Sequence, residues 1–284
     1  MTAASAPAAS VRDLVLAHVA LLRLYSALPL VLLSCGIGAA LGVAPLHLAA
    51  AATAIVCGLA GGYAYNDLRD QQIDRLNRPR RPLVSRVLPE PYVRRMVLVL
   101  YGSALLFAAA TASLRTIALV VLLIGSACLY SDAIKHAPGL KNVFVGIWCG
   151  LLPWGTALDR TTAAMLPAVL LVMLFITQKE LLADVYDRPG DAEAGVKTIP
   201  VLFGPRAGLA LVTMLNAVLW VVARGAADVP VLVHLPRAGE VVAVVNLVAL
   251  PAVFCRMTLV RACLEVQKAF MIGGCLALFA ALIW

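Results

Sequence analysis

The chain has 284 residues, of which 62% are hydrophobic and 13% charged, with a formal net charge of +8 and a mean hydropathy of +0.94. No soluble domain buries that much apolar surface, and repeated apolar runs of roughly 18 residues or more predict membrane-crossing helices. The runs do not alternate apolar and polar residues, which excludes a membrane β-barrel. The positive charge follows the order of the runs, which argues against nucleic acid as a partner.

The reading is of one integral-membrane domain over residues 1–284, all-α and polytopic, with about nine transmembrane helices. Residues 1–12 form a short tail without the basic start and cleavage site of a signal peptide. The first span covers about 15–41 and the second about 47–65. A polar loop over 67–91 follows, with Pro79, Pro82, Pro89 and Pro91. The third and fourth spans lie near 92–111 and 116–130, and a loop over 131–141 carries Pro138-Gly139. The fifth and sixth lie near 142–157 and 165–182, and a second acidic loop runs to about 205. The seventh is near 206–222, a mixed segment at 224–240 lies outside the bilayer, and the last two spans lie near 241–254 and 269–284.

This order puts 19 of the 23 basic residues on one side of the membrane. The positive-inside rule makes that side the cytoplasm, which also receives the N-terminus and both acidic loops, with the C-terminus opposite. The seven cysteines form no CxxC pair and lie in or beside apolar runs, where cysteine behaves as a small hydrophobe.

The loops hold the chemistry. Asp67, Asp70 and Asp74 follow Asn66 at the end of the second span, and Asp184, Asp187 and Asp191 repeat their spacing after the sixth. At about 100° per residue, each group aims oxygens along one stripe of a helix. Like charges so close to a bilayer need a compensating cation. Arginines of the same loop would form a salt-bridge network. Alternatively, Mg²⁺, which takes one or two carboxylates plus substrate phosphates, would sit there. Two such clusters on one side suit two ions clamping a diphosphate. Pro189-Gly190 is expected to turn the chain before Asp191. Arg78, Arg81, Lys135, Lys141 and Lys197 supply phosphate-binding charge, whereas Arg80, Arg86, Arg94 and Arg95 read as topology-setting residues. A diphosphate beneath apolar helices implies an isoprenoid diphosphate, its tail among lipid-like side chains.

The motifs Asn66-Asp67-x-x-Asp70-x-x-x-Asp74 with Asn77-Arg78-Pro79-x-Arg81-Pro82-Leu83, and Asp184-x-x-Asp187-x-x-Gly190-Asp191 with Ala194-Gly195-x-Lys197-Thr198-x-Pro200, resemble the two signatures of the UbiA-type intramembrane prenyltransferases. Tyr130-Ser131 with Lys135 and Asn142 is similar to that family's middle loop. The resemblance implies nine helices around a central cavity open to lipid, and Mg²⁺-dependent transfer of a prenyl group to an acceptor with loss of diphosphate. It also implies that Asn66, Asp70, Asp74, Asp187 and Asp191 hold or position Mg²⁺, supported by Asp67 and Asp184. Arg81, Lys135 and Lys197, with Asn66 and Asn142, would bind the diphosphate. Two departures stand out: Arg86 follows Ser85 where many relatives have glycine, and Pro189 stands where relatives often carry an acidic residue.

In this scheme an allylic cation develops in a dry cavity and an acceptor, expected to be aromatic, captures it. Tyr25, Tyr63, Tyr65, Tyr130, Trp148 and Phe175 are aromatic groups available to face the cation, and Arg23 is available to an acceptor carboxylate. Capture without an acceptor would make the protein a terpene cyclase. A transporter is a third reading, but both acidic clusters close even-numbered spans, a same-direction repeat that leaves both on one face.

Overall fold

The structure, a computed structural model, describes residues 10–157, 160, 165–226 and 234–283. Most of the expected tail, the stretch 227–233 of the mixed segment, and residue 284 lie outside the described residues. The described residues form twelve α-helices and no strand. The first span is a bent pair, α1 (Val11–Leu22) and α2 (Leu24–Ala40), meeting at 53°. The bend sits at Arg23, whose φ of 47° is left-handed. The second span is α3 (Pro45–Arg69), and α4 (Gln71–Asn77) follows it after the single junction residue Asp70.

The remaining apolar segments form α5 (Glu90–Ala110), α6 (Leu114–Asp132), α7 (Leu140–Ala157), α8 (Leu166–Glu193), α10 (Pro205–Gly225), α11 (His234–Cys255) and α12 (Val260–Ile283), with the short α9 (Ile199–Phe203) between α8 and α10. Each of the nine expected spans therefore falls on a helix or on the bent pair. By length and hydropathy, six helices among the described residues suffice to cross a bilayer, and seven spans result when the bent pair counts as one. The 18-residue α7, with Lys141 near its start, falls short of that mark.

Helices α6, α7, α8, α10, α11 and α12 pack in succession, and α12 returns against α2, which packs on α3. Apolar residues of α2, α7, α8, α10 and α12, among them Ile37, Leu152, Leu171, Leu219 and Met271, form the principal core. Inside a membrane, apolar burial drives little helix association, so close approach of small residues and interhelical hydrogen bonds decide the packing. Both occur here. A Cβ on Gly150 of α7 would stand 2.6 Å from the carbonyl oxygen of Val169 on α8. Buried amides link three further helices: Asn216 donates to the Ala243 carbonyl at 3.0 Å, Asn246 to Asn216 Oδ1 at 3.0 Å, and Gln267 to Asn246 Oδ1 at 3.3 Å.

Two expectations about the polar segments need correction. The second acidic group is not in a loop, because α8 runs through Pro189 to Glu193. A proline within a helix removes one backbone bond and crowds the preceding turn. Pro189 falls in the second-last turn, where few bonds remain to lose, and the Arg188 Nε donates to the Pro200 carbonyl at 3.0 Å to tie that turn to α9. The segment 78–89 is likewise not a free loop. Its backbone folds on itself, with the Ser85 N–H donating to the Arg81 carbonyl at 2.8 Å and the Leu88 N–H to the Pro82 carbonyl at 3.2 Å. Leu83 and Leu88 are buried against Leu21 of α1 and Val93 of α5. Arg86 adopts φ 60°, so the glycine-type turn is kept with arginine in it.

Candidate active site

The ends of α3, α6 and α8, the start of α7, all of α4 and the segment 78–89 meet at one end of the bundle. Asp67 lies in the last turn of α3, Asp70 at the α3–α4 junction and Asp74 in α4. The helical course is nearly continuous there, since the Asp70 N–H donates to the Asn66 carbonyl at 2.9 Å and the Asp74 N–H to the Asp70 carbonyl at 2.8 Å. The three carboxylates therefore share one side, as their spacing predicts. Arg81 shows this directly for two of them: its Nη1 lies 2.6 Å from Asp67 Oδ1 and 2.5 Å from Asp74 Oδ2. Arg23, projecting from the bend, reaches the same Asp67 oxygen at 2.7 Å and lies 5.0 Å from the centre of the Tyr63 ring.

Lys135, in the short 3-10 turn after α6, pairs with Asp70 at 2.6 Å. On α8, Asp184 accepts from Lys141 at 2.7 Å and from the Asn142 amide at 3.0 Å. The two clusters meet where Arg78 crosses to Asp187 at 2.5 Å. The close approach of α7 to α8 fixes this register: Gly150 abuts Val169 and Met173, Gly146 abuts Met173 and Thr177, and Asn142 reaches Asp184. Asp191 is buried on the last turns of α8. Asn66 is half-buried, and Lys197 is exposed beyond α8 and makes no ion pair among the described residues.

Two groups outside the spans have shifted protonation. Burial pushes Asp74 up to about 6; Arg81 opposes the shift, and Asp67 and Asp70 add to it. Burial likewise pulls the Arg81 guanidinium below its usual range, with Arg23 acting in the same direction.

Among the described residues, no three His, Cys, Asp or Glu side chains come together closely enough to hold a metal ion unaided. Asp67, Asp70, Asp74, Asp184 and Asp187 are instead each met by a basic side chain, the salt-bridge alternative of the sequence. The donor set still fits Mg²⁺. It consists of hard oxygens, and in Asp70, Asp74 and Asp187 one oxygen of each carboxylate has no partner among the described residues. An ion that takes one or two carboxylates and completes its shell with phosphate oxygens needs no preformed cage.

Arg78 and Lys141, expected from the sequence to supply phosphate-binding charge, each pair with an acidic residue of the second cluster. One neighbour, Glu180, has no role assigned by the sequence. Glu180, one turn before Asp184 on the same helix face, lines a polar cavity with Tyr130, Lys141, Asn142, Val145 and Asp184. Of the expected cavity aromatics, Tyr130 stacks on Phe144 at 6.0 Å and Trp148 meets Phe144 edge-on at 6.4 Å. Tyr65 hydrogen-bonds Asp132, and Tyr25 is exposed. Phe175 lines a separate apolar cavity of about 70 Å³ with Leu30, Leu171, Leu219, Val242 and Met271.

The chain and its fold have known relatives. The model of the UbiA prenyltransferase family matches residues 27–283. A digeranylgeranylglyceryl phosphate synthase of Halobacterium salinarum is 32% identical over 191 residues, 66% of this chain and 67% of that protein. One from Methanopyrus kandleri is 31% identical over 170 residues, 59% and 61% of the two chains. A UbiA homologue from Archaeoglobus fulgidus, solved with GPP and Mg²⁺, superposes with a TM-score of 0.74 at 17% identity, over 94% of this chain and 99% of the other. The apo structure of a homologue from Aeropyrum pernix K1 gives 0.70 at 20% identity, over 90% and 96%. With both acidic signatures on one end of an all-helical, multi-pass membrane bundle and a family match over nearly the whole chain, this protein belongs to the UbiA prenyltransferase family and is a prenyltransferase.

Proposed function

We propose that the protein transfers a prenyl group from an isoprenoid diphosphate to an acceptor within the membrane, releasing diphosphate in a Mg²⁺-dependent reaction. The observation that carries this reading is the meeting of the two aspartate clusters through Arg78 and Asp187. Five basic side chains, Arg23, Arg78, Arg81, Lys135 and Lys141, already balance most of the charge of the aspartates. A diphosphate with two Mg²⁺ ions adds only about one net positive charge to such a site. Basic side chains are thereby free to turn from carboxylate to phosphate without leaving buried charge unbalanced.

Asn66, Asp70, Asp74, Asp187 and Asp191 are the residues we assign to Mg²⁺, with Asp67 and Asp184 positioning the cations around them. Arg78, Arg81 and Lys135 would grip the diphosphate oxygens, and exposed Lys197 would close on them from the α8–α9 link. When bound, Mg²⁺ neutralises charge on the departing diphosphate. The basic groups stabilise the same developing charge in a site of low dielectric. Arg23 and Tyr130 line the approach of the acceptor. The bias of basic residues supports a cytoplasmic position for this end of the bundle.

For the acceptor, the relatives' name denotes a product with two geranylgeranyl groups on glyceryl phosphate. That supports a hydroxyl of a prenylated glyceryl phosphate as the nucleophile here. The test is product analysis by mass spectrometry with geranylgeranyl diphosphate and Mg²⁺, offering geranylgeranylglyceryl phosphate, 4-hydroxybenzoate or no acceptor. An ether product supports the hydroxyl reading, a ring-prenylated product replaces it with an aromatic acceptor, and a cyclic hydrocarbon replaces transfer with cyclisation. Asp70→Ala and Asp187→Ala should each lower Mg²⁺-dependent diphosphate release by at least about 100-fold while the protein still folds. Unchanged release in both variants refutes the site.

A further inference from the structure

We propose that Glu180 is a catalytic residue, the group that takes the proton from the nucleophile as it captures the prenyl cation. This rests on the transferase reading above and adds a role that neither acidic signature contains. Glu180 lies on α8 one turn deeper than Asp184, on the side of the diphosphate-binding charges that faces the apolar interior. It opens on a cavity of about 20 Å³, shared with Tyr130, Lys141, Asn142, Val145 and Asp184. That is room for about one water-sized group, such as a hydroxyl.

A second observation marks the cavity as built for such a group. Asn142 is 3% exposed, and its Oδ1 is buried with no hydrogen-bond partner, although its amide nitrogen is engaged by Asp184. A buried acceptor without a partner forfeits its solvation and gains nothing in return. A hydroxyl in the cavity would satisfy it until Glu180 accepts the proton.

The charge around Glu180 suits the step. Lys179 pairs with it at 2.5 Å, and Lys141 also lines the cavity. Arg23 and the hydroxyl-bearing rings of Tyr25, Tyr63 and Tyr130, with Cys149 of α7 and Asp184, complete the titratable surroundings. Lys179 gives the Glu180 carboxylate a cationic neighbour before the reaction. A weak base is sufficient, because an oxygen that has begun to bond to a carbocation is strongly acidic. In the step, the bond from C1 to the diphosphate oxygen breaks and its electron pair leaves with diphosphate. An oxygen lone pair of the nucleophile forms the new C1–O bond, and its O–H proton passes to the Glu180 carboxylate. No oxidant or reductant is required.

The test separates ionisation from capture. The full-length protein in detergent is given Mg²⁺, geranylgeranylglyceryl phosphate, and geranylgeranyl diphosphate labelled with ¹⁸O at the bridging oxygen. Scrambling of the label into the non-bridging positions reports ionisation and return. The sum of ether and water-captured alcohol reports capture. Glu180→Gln should keep scrambling within about threefold of wild type while capture falls about 100-fold or more, and Glu180→Asp should restore part of the capture. Asp70→Ala should lose both signals.

Capture in Glu180→Gln within threefold of wild type overturns the assignment. So does a parallel fall of scrambling and capture, which would mean that Glu180 serves donor binding or folding instead. A wild type showing neither scrambling nor Mg²⁺-dependent diphosphate release refutes the transferase reading itself, and the role of Glu180 falls with it.

Discussion

Arg81 is the side chain on which the first cluster's charge balance turns. Its Nη1 bridges Asp67 and Asp74 at 2.6 and 2.5 Å, with all three side chains at most 13% exposed. Arg81→Ala leaves Asp67 with Arg23 alone and Asp74 with no basic partner among the described residues. Removing one member of a buried pair costs about 3–5 kcal/mol. The site lies at a bundle end where water enters more readily, so the lower figure, about 3 kcal/mol, is the expectation. For a chain of this size that is roughly a 6–12 °C fall in Tm, read by thermal unfolding of the detergent-solubilised protein in EDTA.

The deficit should shrink with acid. Burial holds Asp74 up at about 6, above the ordinary 3.8 of an aspartate, so the native state binds its proton more tightly than the unfolded chain does. Stability gained this way grows as pH falls from about 6 towards 4, and a protonated Asp74 no longer needs Arg81. Adding Asp74→Asn to Arg81→Ala should recover most of the lost Tm at pH 7.5 but none of the diphosphate release. An unchanged Tm in Arg81→Ala, or no recovery in the double variant, would show that the bridge does not balance this charge.

Chelation with EDTA should abolish diphosphate release, and Mg²⁺ should restore it in a saturable manner, as measured by a coupled phosphate assay. The apparent affinity for Mg²⁺ should weaken as pH falls through about 6, because Asp74 must give up its proton to act as a ligand; isothermal titration at pH 5.5 and 7.5 checks this. Arg78→Ala should raise the KM for geranylgeranyl diphosphate about tenfold or more with little change in Tm, since its side chain is 47% exposed and its pairing with Asp187 carries little stability. Gly150→Val should lower Tm by the equivalent of about 1–3 kcal/mol, because its Cβ would stand 2.6 Å from the Val169 carbonyl oxygen. It should also reduce activity, through the displacement of Asn142 from Asp184.

The membrane class, the helical architecture and the family were all present in the chain itself. Apolar runs of bilayer length leave few alternatives, and Asp67, Asp70 and Asp74 lie on one side because helical geometry fixes where residues three and four apart must point. The same periodicity put Asp184 and Asp187 on one stripe. What the linear order could not supply was partnership across helices. Pro189 predicts a break, yet tertiary contacts hold the helix through it to Glu193. Arg78 and Asp187 are 109 residues apart in the chain and in contact in the fold, and Lys141 finds Asp184 only because α7 and α8 approach closely at Gly146 and Gly150. Glu180 read merely as one more acidic residue until the packing of α6, α7 and α8 left a cavity beside it. Local sequence sets the direction in which a side chain leaves its own helix, whereas what it meets there is decided by the packing of the other helices.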